Sequence, residues 1–485
     1  RGVFGERSFS SSVDLRFPPL DEADLRRKAV GAEKQFAGTR NLGGYGMGFL
    51  EHGRGKDGVG LAIYYGPAEA GHAHYDRLAF ELVGYGKKLI PDFGYPQFAA
   101  EHKDRPAWET HTLSHTTVSV DGSRQSTKRR GVLNFFAESP DVQVIDVSAP
   151  NAYAGAREYR RMMMLIGGES ESPYVVDLFR VEGGKSHDYS LHGFDGEFST
   201  SGIGLSETQT EGTLAGEDVP YSYLYDDPEL EKPGKTRSFH SYVGASLSYL
   251  YNVRRGRPTG AWSATWTGAD SGIHAMFPRQ TVNEAVIADG RPPRKPGHPE
   301  SVEFVLLRNS GEDLSDSFVS VLQPFRVRDG RGDDPLAVRT LKTDAESGGV
   351  LIEIKGPQGI DYVWAGGNAS SKVEAAGITV AGRCAVIRLD AKGALKSVFL
   401  GDGTHIKQGM LSVEAAEGFV GAVESVDVER NEISRLINAV LARLGSGWMI
   451  QVEAVRVPAQ AYPAREDCHF PDPVTRAIDN ERRRR

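Results

Sequence analysis

Cysteine is almost missing from this chain of 485 residues, which holds only Cys384 and Cys468. Two cysteines exclude a disulfide-built scaffold; a single bridge between them stays open, because sequence does not fix the required geometry. No stretch approaches 18 consecutive apolar residues, so no transmembrane helix is predicted. A basic excess is lacking too: 57 Lys and Arg against 65 Asp and Glu leave a net charge of −8. That balance argues against a nucleic-acid surface, and an acidic substrate would need a local basic groove. The one long basic run, Arg482 to Arg485, reads as a solvated tail. Helical signals are scarce before residue 430. Only Pro18 to Val30, with Asp21 as a cap, reads as a short helix. The chain opens Arg1-Gly2-Val3 with neither an initiator Met nor an apolar leader, and the expectation is an internal cut with any signal peptide upstream.

What is plentiful is turn chemistry, with 57 Gly and 25 Pro. From Asn41 onward, runs of five to eight residues rich in Val, Tyr, Phe and Thr alternate with Gly, Pro, Asp or Asn. Gly46 to Glu51, Val59 to Tyr65, Leu78 to Val83, Lys88 to Pro91, Thr116 to Val120 and Gly131 to Ala137 read as strands. Gln143 to Val147, Tyr159 to Ile166, Tyr174 to Val181 and Asp188 to His192 continue the series. Such spacing predicts an all-β fold, a large antiparallel β-sandwich of the super-sandwich type. Met162 to Ile166 is apolar on both faces and belongs in the centre of a sheet.

Residues 195–300 hold long polar insertions rich in Gly and Pro, including Asp226 to Lys235 and Arg291 to Gly297, and such stretches read as loops. Long loops on a rigid sheet often rim a binding cleft. The aromatic clusters Tyr221 to Tyr225 and Trp262 to Trp266 suit sheet packing at least as well as sugar stacking. A boundary falls at Arg326 to Pro335. Beyond it Gly349 to Ile354, Tyr362 to Trp364, Cys384 to Leu389 and Ser397 to Leu400 read as a smaller all-β domain. Ile433, Leu436, Ile437, Val440, Leu441 and Leu444 recur at helical spacing before Gly445, predicting one C-terminal amphipathic helix. The expected organisation is linker and short helix 1–40, sandwich 41–330, smaller β domain 335–445 and tail 446–485.

The chemistry concentrates in Gly71-His72-Ala73-His74-Tyr75-Asp76 and its continuation to Asp92, followed by Ser114-His115. His72, His74, Asp76, Asp92 and His115 can each bind a divalent ion or move a proton, and imidazole with carboxylate is a donor set that zinc favours. An isolated HxH pair is weak; HxHxD followed by Asp92 and His115 is a stronger pattern. A hairpin turning near Gly86 would set Asp92 opposite about Glu81, leaving His74 roughly 20 Å along an extended strand. A shared metal therefore requires the Gly71 to Asp76 segment to bend back as a loop. His115, opening a strand, would complete three ligands plus water, an open zinc arrangement, with His72 beside it as a proton-transfer group.

These motifs, with Arg157 to Arg161, Val176 to Val181 and His187 to Gly193, resemble the sheet domain of the heparinase II/III-like polysaccharide lyases, from about Tyr45 to Phe325. The resemblance implies β-elimination on acidic, uronic-acid-containing polysaccharides, in a secreted or periplasmic setting. It implies Zn²⁺ held by His74, Asp92 and His115, a catalytic His72, and Asp76 orienting the ligand loop. Members of that family carry an N-terminal α/α-toroid that supplies the tyrosine base and neutralises the uronate carboxylate. No toroid sequence is present here, so the expectation is the metal-bearing part of a lyase, weakly active or inactive alone. Two other readings stand beside it: a cupin-like metalloenzyme, against which the Glu81 spacing counts, and a carbohydrate-binding or structural sandwich whose zinc only ties loops together.

Overall fold

The computed structural model describes residues 38–67, 73–97, 103–126, 129–168, 171–194, 196–233, 236–409 and, between 411 and 450, the strand residues. The expected helix at Pro18 to Val30, His72, Cys468 and the Arg482 to Arg485 tail lie outside the described residues. No helix among the described residues is long and apolar enough to cross a membrane.

Among the described residues the first five strands are β1 (Arg40–Leu42), β2 (Met47–His52), β3 (Val59–Tyr64), β4 (Phe80–Gly84) and β5 (Lys87–Ile90). After them come β6 (Val118–Val120), β7 (Val132–Glu138), β8 (Val142–Ser148), β9 (Glu158–Ile166), β10 (Tyr174–Glu182), β11 (Ser186–His192) and β12 (Glu197–Ser201). The chain continues with β13 (Leu250–Gly256), β14 (Trp262–Thr267), β15 (Ser271–Phe277), β16 (Glu284–Gly290), β17 (Val302–Ser310) and β18 (Ser315–Arg326). A further group is β19 (Ala337–Thr343), β20 (Val350–Gly356), β21 (Gly359–Ala365), β22 (Lys372–Ala375), β23 (Ile378–Leu389), β24 (Leu395–Gln408) and β25 (Leu411–Glu424), with short strands beyond it.

These strands form antiparallel sheets. The first keeps the order β1 to β5; the second runs β12-β14-β15-β18-β10-β9-β8-β7; the third runs β13-β16-β17-β11-β6; the fourth is built on β19 to β25. The expected all-β sandwich architecture is borne out. The second and third sheets close over one core that includes Met163, Phe179, Tyr189, Ile287 and Val305, and the first sheet adds Leu61, Ile63 and Leu82 to it. The opposite face of the second sheet is buried as well. There Met162, Met164, Val176 and Val321 meet Val350, Ile352 and Val363 of the fourth sheet. Strand period two therefore sends Met163 into one core and its two Met neighbours into another, which is why this run is apolar throughout.

Residues 195–300 hold the expected long connections around the short strands β13, β14, β15 and β16, and Trp262 and Trp266 are buried packing residues of β14. Each of these strands has only six or seven residues, and the Gly- and Pro-rich connections between them dominate the composition. One expectation needs correction: over Ile433 to Leu444 the described residues are strands where a helix was predicted. Leu436–Ile437 pairs with Ala422 and Val423 of β25, and Leu441–Leu444 pairs with Leu411 to Glu414. The open edge of β25 offers a ladder of backbone partners, and that tertiary pairing overrides the helical spacing. Among the described residues, Cys384 is a free, buried thiol.

Candidate metal centre

The site is assembled from three stretches: the connection from β3 to β4, the extension of β5, and the turn that leads into β6. The outer face of the third sheet presents Val286, Ala288, Val302, Phe304 and Leu306, and irregular chain covers it with Phe93, Trp108, Leu113, Tyr242 and Tyr249. Phe93 and Leu113 are the anchors that matter. Burying each contributes roughly 1.5–3 kcal/mol, and each carries a nearby polar residue, Asp92 or His115, to the same place.

β4 and β5 turn through Tyr85 and Gly86, both at positive φ (55° and 75°), the backbone of a tight hairpin turn. Asp92 follows β5 by two residues. Its Oδ1 accepts from the Gly94 amide at 2.6 Å, and Phe93 stacks on the buried His192 ring at 4.3 Å. His115 ends the short 3-10 turn Thr112–Ser114, whose cap is the His111 ring accepting from the Leu113 amide at 3.2 Å. The loop carrying His74 and Asp76 bends back, as a shared metal requires. The Tyr75 amide donates to the Thr110 carbonyl at 2.9 Å, and the Thr112 hydroxyl donates to the Tyr75 carbonyl at 2.6 Å.

The structure thus brings together His74, Asp76, Asp92 and His115, with one donor atom from each lying within 4.8 Å of the others. His115 Nδ1 is 3.0 Å and His74 Nδ1 3.9 Å from Asp92 Oδ2. The two imidazole rings are 5.0 Å apart, and Tyr95 meets His74 edge-on at 5.0 Å. His74 and His115 are buried. Burial, then the neighbouring His115, pushes His74 down to about 4. Burial pushes Asp76 up to about 6. Burial would raise Asp92 as well, but the charge and hydrogen bond of His115 hold it well below the usual carboxylate range. Burial opposes the charged form of His115, yet Asp92 and Asp76 raise it.

Asp76 Oδ1 and His115 Nε2 are both buried without a hydrogen-bond partner. Unpartnered buried polar atoms on two of the four residues are what a divalent cation nearby would satisfy, and two imidazoles with two carboxylates suit zinc. Asp76 stands among the four converging groups, on the same footing as the three residues named as ligands by resemblance.

The quartet forms one wall of an open cleft of about 520 Å³ that Tyr45, Met47, Tyr64, Phe80 and Tyr95 also line. Tyr45 is 66% exposed at its rim. Cations stand around the quartet: Lys295 Nζ donates to the Phe93 carbonyl at 3.3 Å, Lys88 pairs with Glu81 at 3.2 Å, and Arg105 lies over Tyr95 at 5.2 Å. Sequence reasoning singled out the Arg291 to Gly297 loop without seeing that it delivers Lys295 here. Nothing local in sequence signals a contact between residues 93 and 295.

Fold and site together define a protein of stacked antiparallel sheets with a His/Asp cluster at the wall of a cleft. Residues 47–212 match the family model "Heparinase II/III-like, C-terminal", and residues 336–425 match "Endo-acting ulvan lyase C-terminal domain". These two matches make the sheet region similar to the heparinase II/III-like polysaccharide lyases. It is similar to an exo-oligoalginate lyase of Saccharophagus degradans, 22% identical over 330 residues, covering 62% of this chain and 41% of that protein. A heparin-sulfate lyase of Bacteroides stercoris is 24% identical over 140 residues, 28% of this chain and 20% of that one. Among solved structures, a heparan sulfate lyase of Pedobacter heparinus overlaps 71% of this chain and 47% of its own at TM-score 0.44 and 13% identity.

A different likeness occupies the C-terminus. Residues 421–485 match "Type IV secretion system ATPase VirB4/TrbE, N-terminal domain". Over 59 residues the chain is 75% identical to conjugal transfer protein TrbE of Rhizobium radiobacter, covering 12% of this chain and 7% of that protein. The sequence reading treated this stretch as a helix and tail and missed the likeness. The chain spans less than half the length of the curated relatives it matches.

Proposed function

We propose that this chain is the metal-bearing part of a polysaccharide lyase that cleaves uronic-acid-containing glycans by β-elimination. The observation that carries the reading is the convergence of His74, Asp76, Asp92 and His115, with two orphaned donor atoms, on a cleft rimmed by tyrosines with lysines close by. Aromatic faces suit sugar rings. Lys295, Lys88 and Arg105 supply the local positive charge that an overall acidic chain needs to hold an anionic glycan. The matches to alginate and heparin-sulfate lyases support the same substrate class.

A bound zinc ion would contribute a fixed positive charge and hold the three ligand-bearing stretches together. The chain's residues would present the glycan, keep its carboxylates near Lys295 and Lys88, and place His72 for proton transfer. In β-elimination a base removes the C5 proton, the C4–O bond breaks, and its electrons leave with the departing sugar, which is protonated. The proton abstraction needs the uronate carboxylate neutralised, a task we assign to a toroid domain of a longer parent.

The test uses this chain, a parent that includes the toroid, and its His72→Ala variant. Each is assayed for metal by atomic spectroscopy and for unsaturated-uronate absorbance on alginate and heparan sulfate. We expect about one zinc per chain and turnover by the parent alone, lowered at least a hundredfold in His72→Ala. Stoichiometric zinc with no turnover by the parent would assign the centre a structural role. A chain that takes up no metal would sink the reading.

A further inference from the structure

Arg161 sits in the middle of β9 with no solvent exposure. Its Nε and Nη2 each donate to Asp177 of β10, both at 2.7 Å, and the Tyr189 hydroxyl of β11 donates to the same carboxylate at 2.8 Å. The guanidinium plane is thereby fixed, and it packs against the Phe80 ring at 4.5 Å. The remaining nitrogen, Nη1, donates to two backbone carbonyls, Leu78 at 2.7 Å and Thr116.

Those two carbonyls belong to the ligand-bearing segments. Leu78 lies two residues after Asp76, and Thr116 is next to His115. Leu78 also holds φ at +65°, a left-handed conformation that an L side chain adopts only when its surroundings impose it. Its amide is tied to the Tyr64 carbonyl at 2.7 Å and its carbonyl to Arg161, so both sides of the strained residue are held. A buried ion pair is a poor device for stability alone, since well-packed apolar residues serve as well. Its strength is geometric: a planar fork locked by a bidentate carboxylate can hold two acceptors at a fixed separation, and a lysine cannot.

We infer that Arg161, oriented by Asp177, is a positioning residue for the His/Asp quartet: it sets the Leu78 and Thr116 carbonyls relative to each other, so that His74, Asp76 and His115 converge on Asp92. The inference rests on the metal reading proposed above, and its test separates the two.

The full chain is prepared with Arg161→Lys, Arg161→Met and, as a control, Arg388→Met. Arg388 is also buried but pairs with Asp141, Glu171 and Asp361, away from the quartet. Zinc affinity is measured by competition with a chromophoric chelator, and the geometry of the centre by the visible absorption of the cobalt-substituted protein. Amide hydrogen exchange of residues 73–79 and 115–118 is followed without metal. We expect Arg161→Lys to bind zinc roughly ten- to a hundredfold more weakly, the usual effect of losing a group that orients ligands. Its cobalt spectrum should change and both segments should exchange faster, whereas Arg388→Met should melt lower with zinc affinity unchanged. An Arg161→Lys protein with zinc affinity within threefold of the parent and the same cobalt spectrum overturns the inference. If the unaltered chain binds no zinc, the metal reading fails and exchange decides: unchanged protection in the two segments overturns the positioning role. Should both Arg161 variants fail to fold, Asp177→Asn, which removes the orienting charge at constant volume, is read by the same measurements.

Discussion

Glu109 illustrates how much a single buried carboxyl can report. It is 8% exposed, its Oε2 has no partner, and burial, then Asp104, pushes it up to about 7. An acid whose folded-state value is raised binds more protons folded than unfolded between its ordinary value near 4.5 and about 7. Stability contributed by the neutral form is therefore present at acid pH and lost as pH rises through that window. Glu109→Gln should flatten this slope and raise stability at pH 8 by on the order of 2 kcal/mol, as read by denaturant unfolding at pH 5 and pH 8. The quartet itself was legible at this scale, because HxHxD with two later donors is a pattern of residue types. Arg161 was not: its role depends on which carbonyls lie under it, and an arginine in a strand of Met and Tyr carries no local mark of them.

At the scale of elements, the extension of β5 shows how a strand end becomes a site. Asp92 is placed by its neighbour: Phe93 packs against His192 and Phe304 and closes the apolar face of the third sheet. Phe93→Ala should cost roughly 3–5 kcal/mol in unfolding free energy and weaken metal retention as well, measurable by denaturant titration and by equilibrium dialysis of zinc. A stability loss with metal retention untouched would show that Asp92 is held by Gly94 and His115 alone. Apolar runs such as Met162 to Ile166 of β9 were legible because burial on both faces writes itself into every position. β13 to β16 were obscured by the Gly and Pro of their connections. The stretch from Ile433 to Leu444 shows the opposite failure, a helical period overruled by the open edge of β25.

For the whole molecule, the apolar clusters set out which parts the fold needs. Among the described residues, the four buried clusters, with the residues packed against them, are built from side chains between Leu50 and Val420. A chain ending at Asp427 keeps all of them. It is expected to melt within about 2–4 °C of the full chain, a shift of the size of a 1 kcal/mol change, and to bind zinc with the same stoichiometry. A collapse of the melting transition would show that the strands added beyond β25 are structural. That the C-terminal stretch resembles a type IV secretion ATPase while earlier stretches resemble lyases is not something that composition can reveal.

The four converging donors all fall between His74 and His115, yet the groups that hold them lie later in the chain: Arg161 on β9, Asp177 on β10, and Tyr189 and His192 on β11. A ribosome would release the whole donor set long before its scaffold existed. Assembly of the centre is therefore a late event in the chain's history, and a zinc ion meeting the nascent segment would find loose ligands rather than a site.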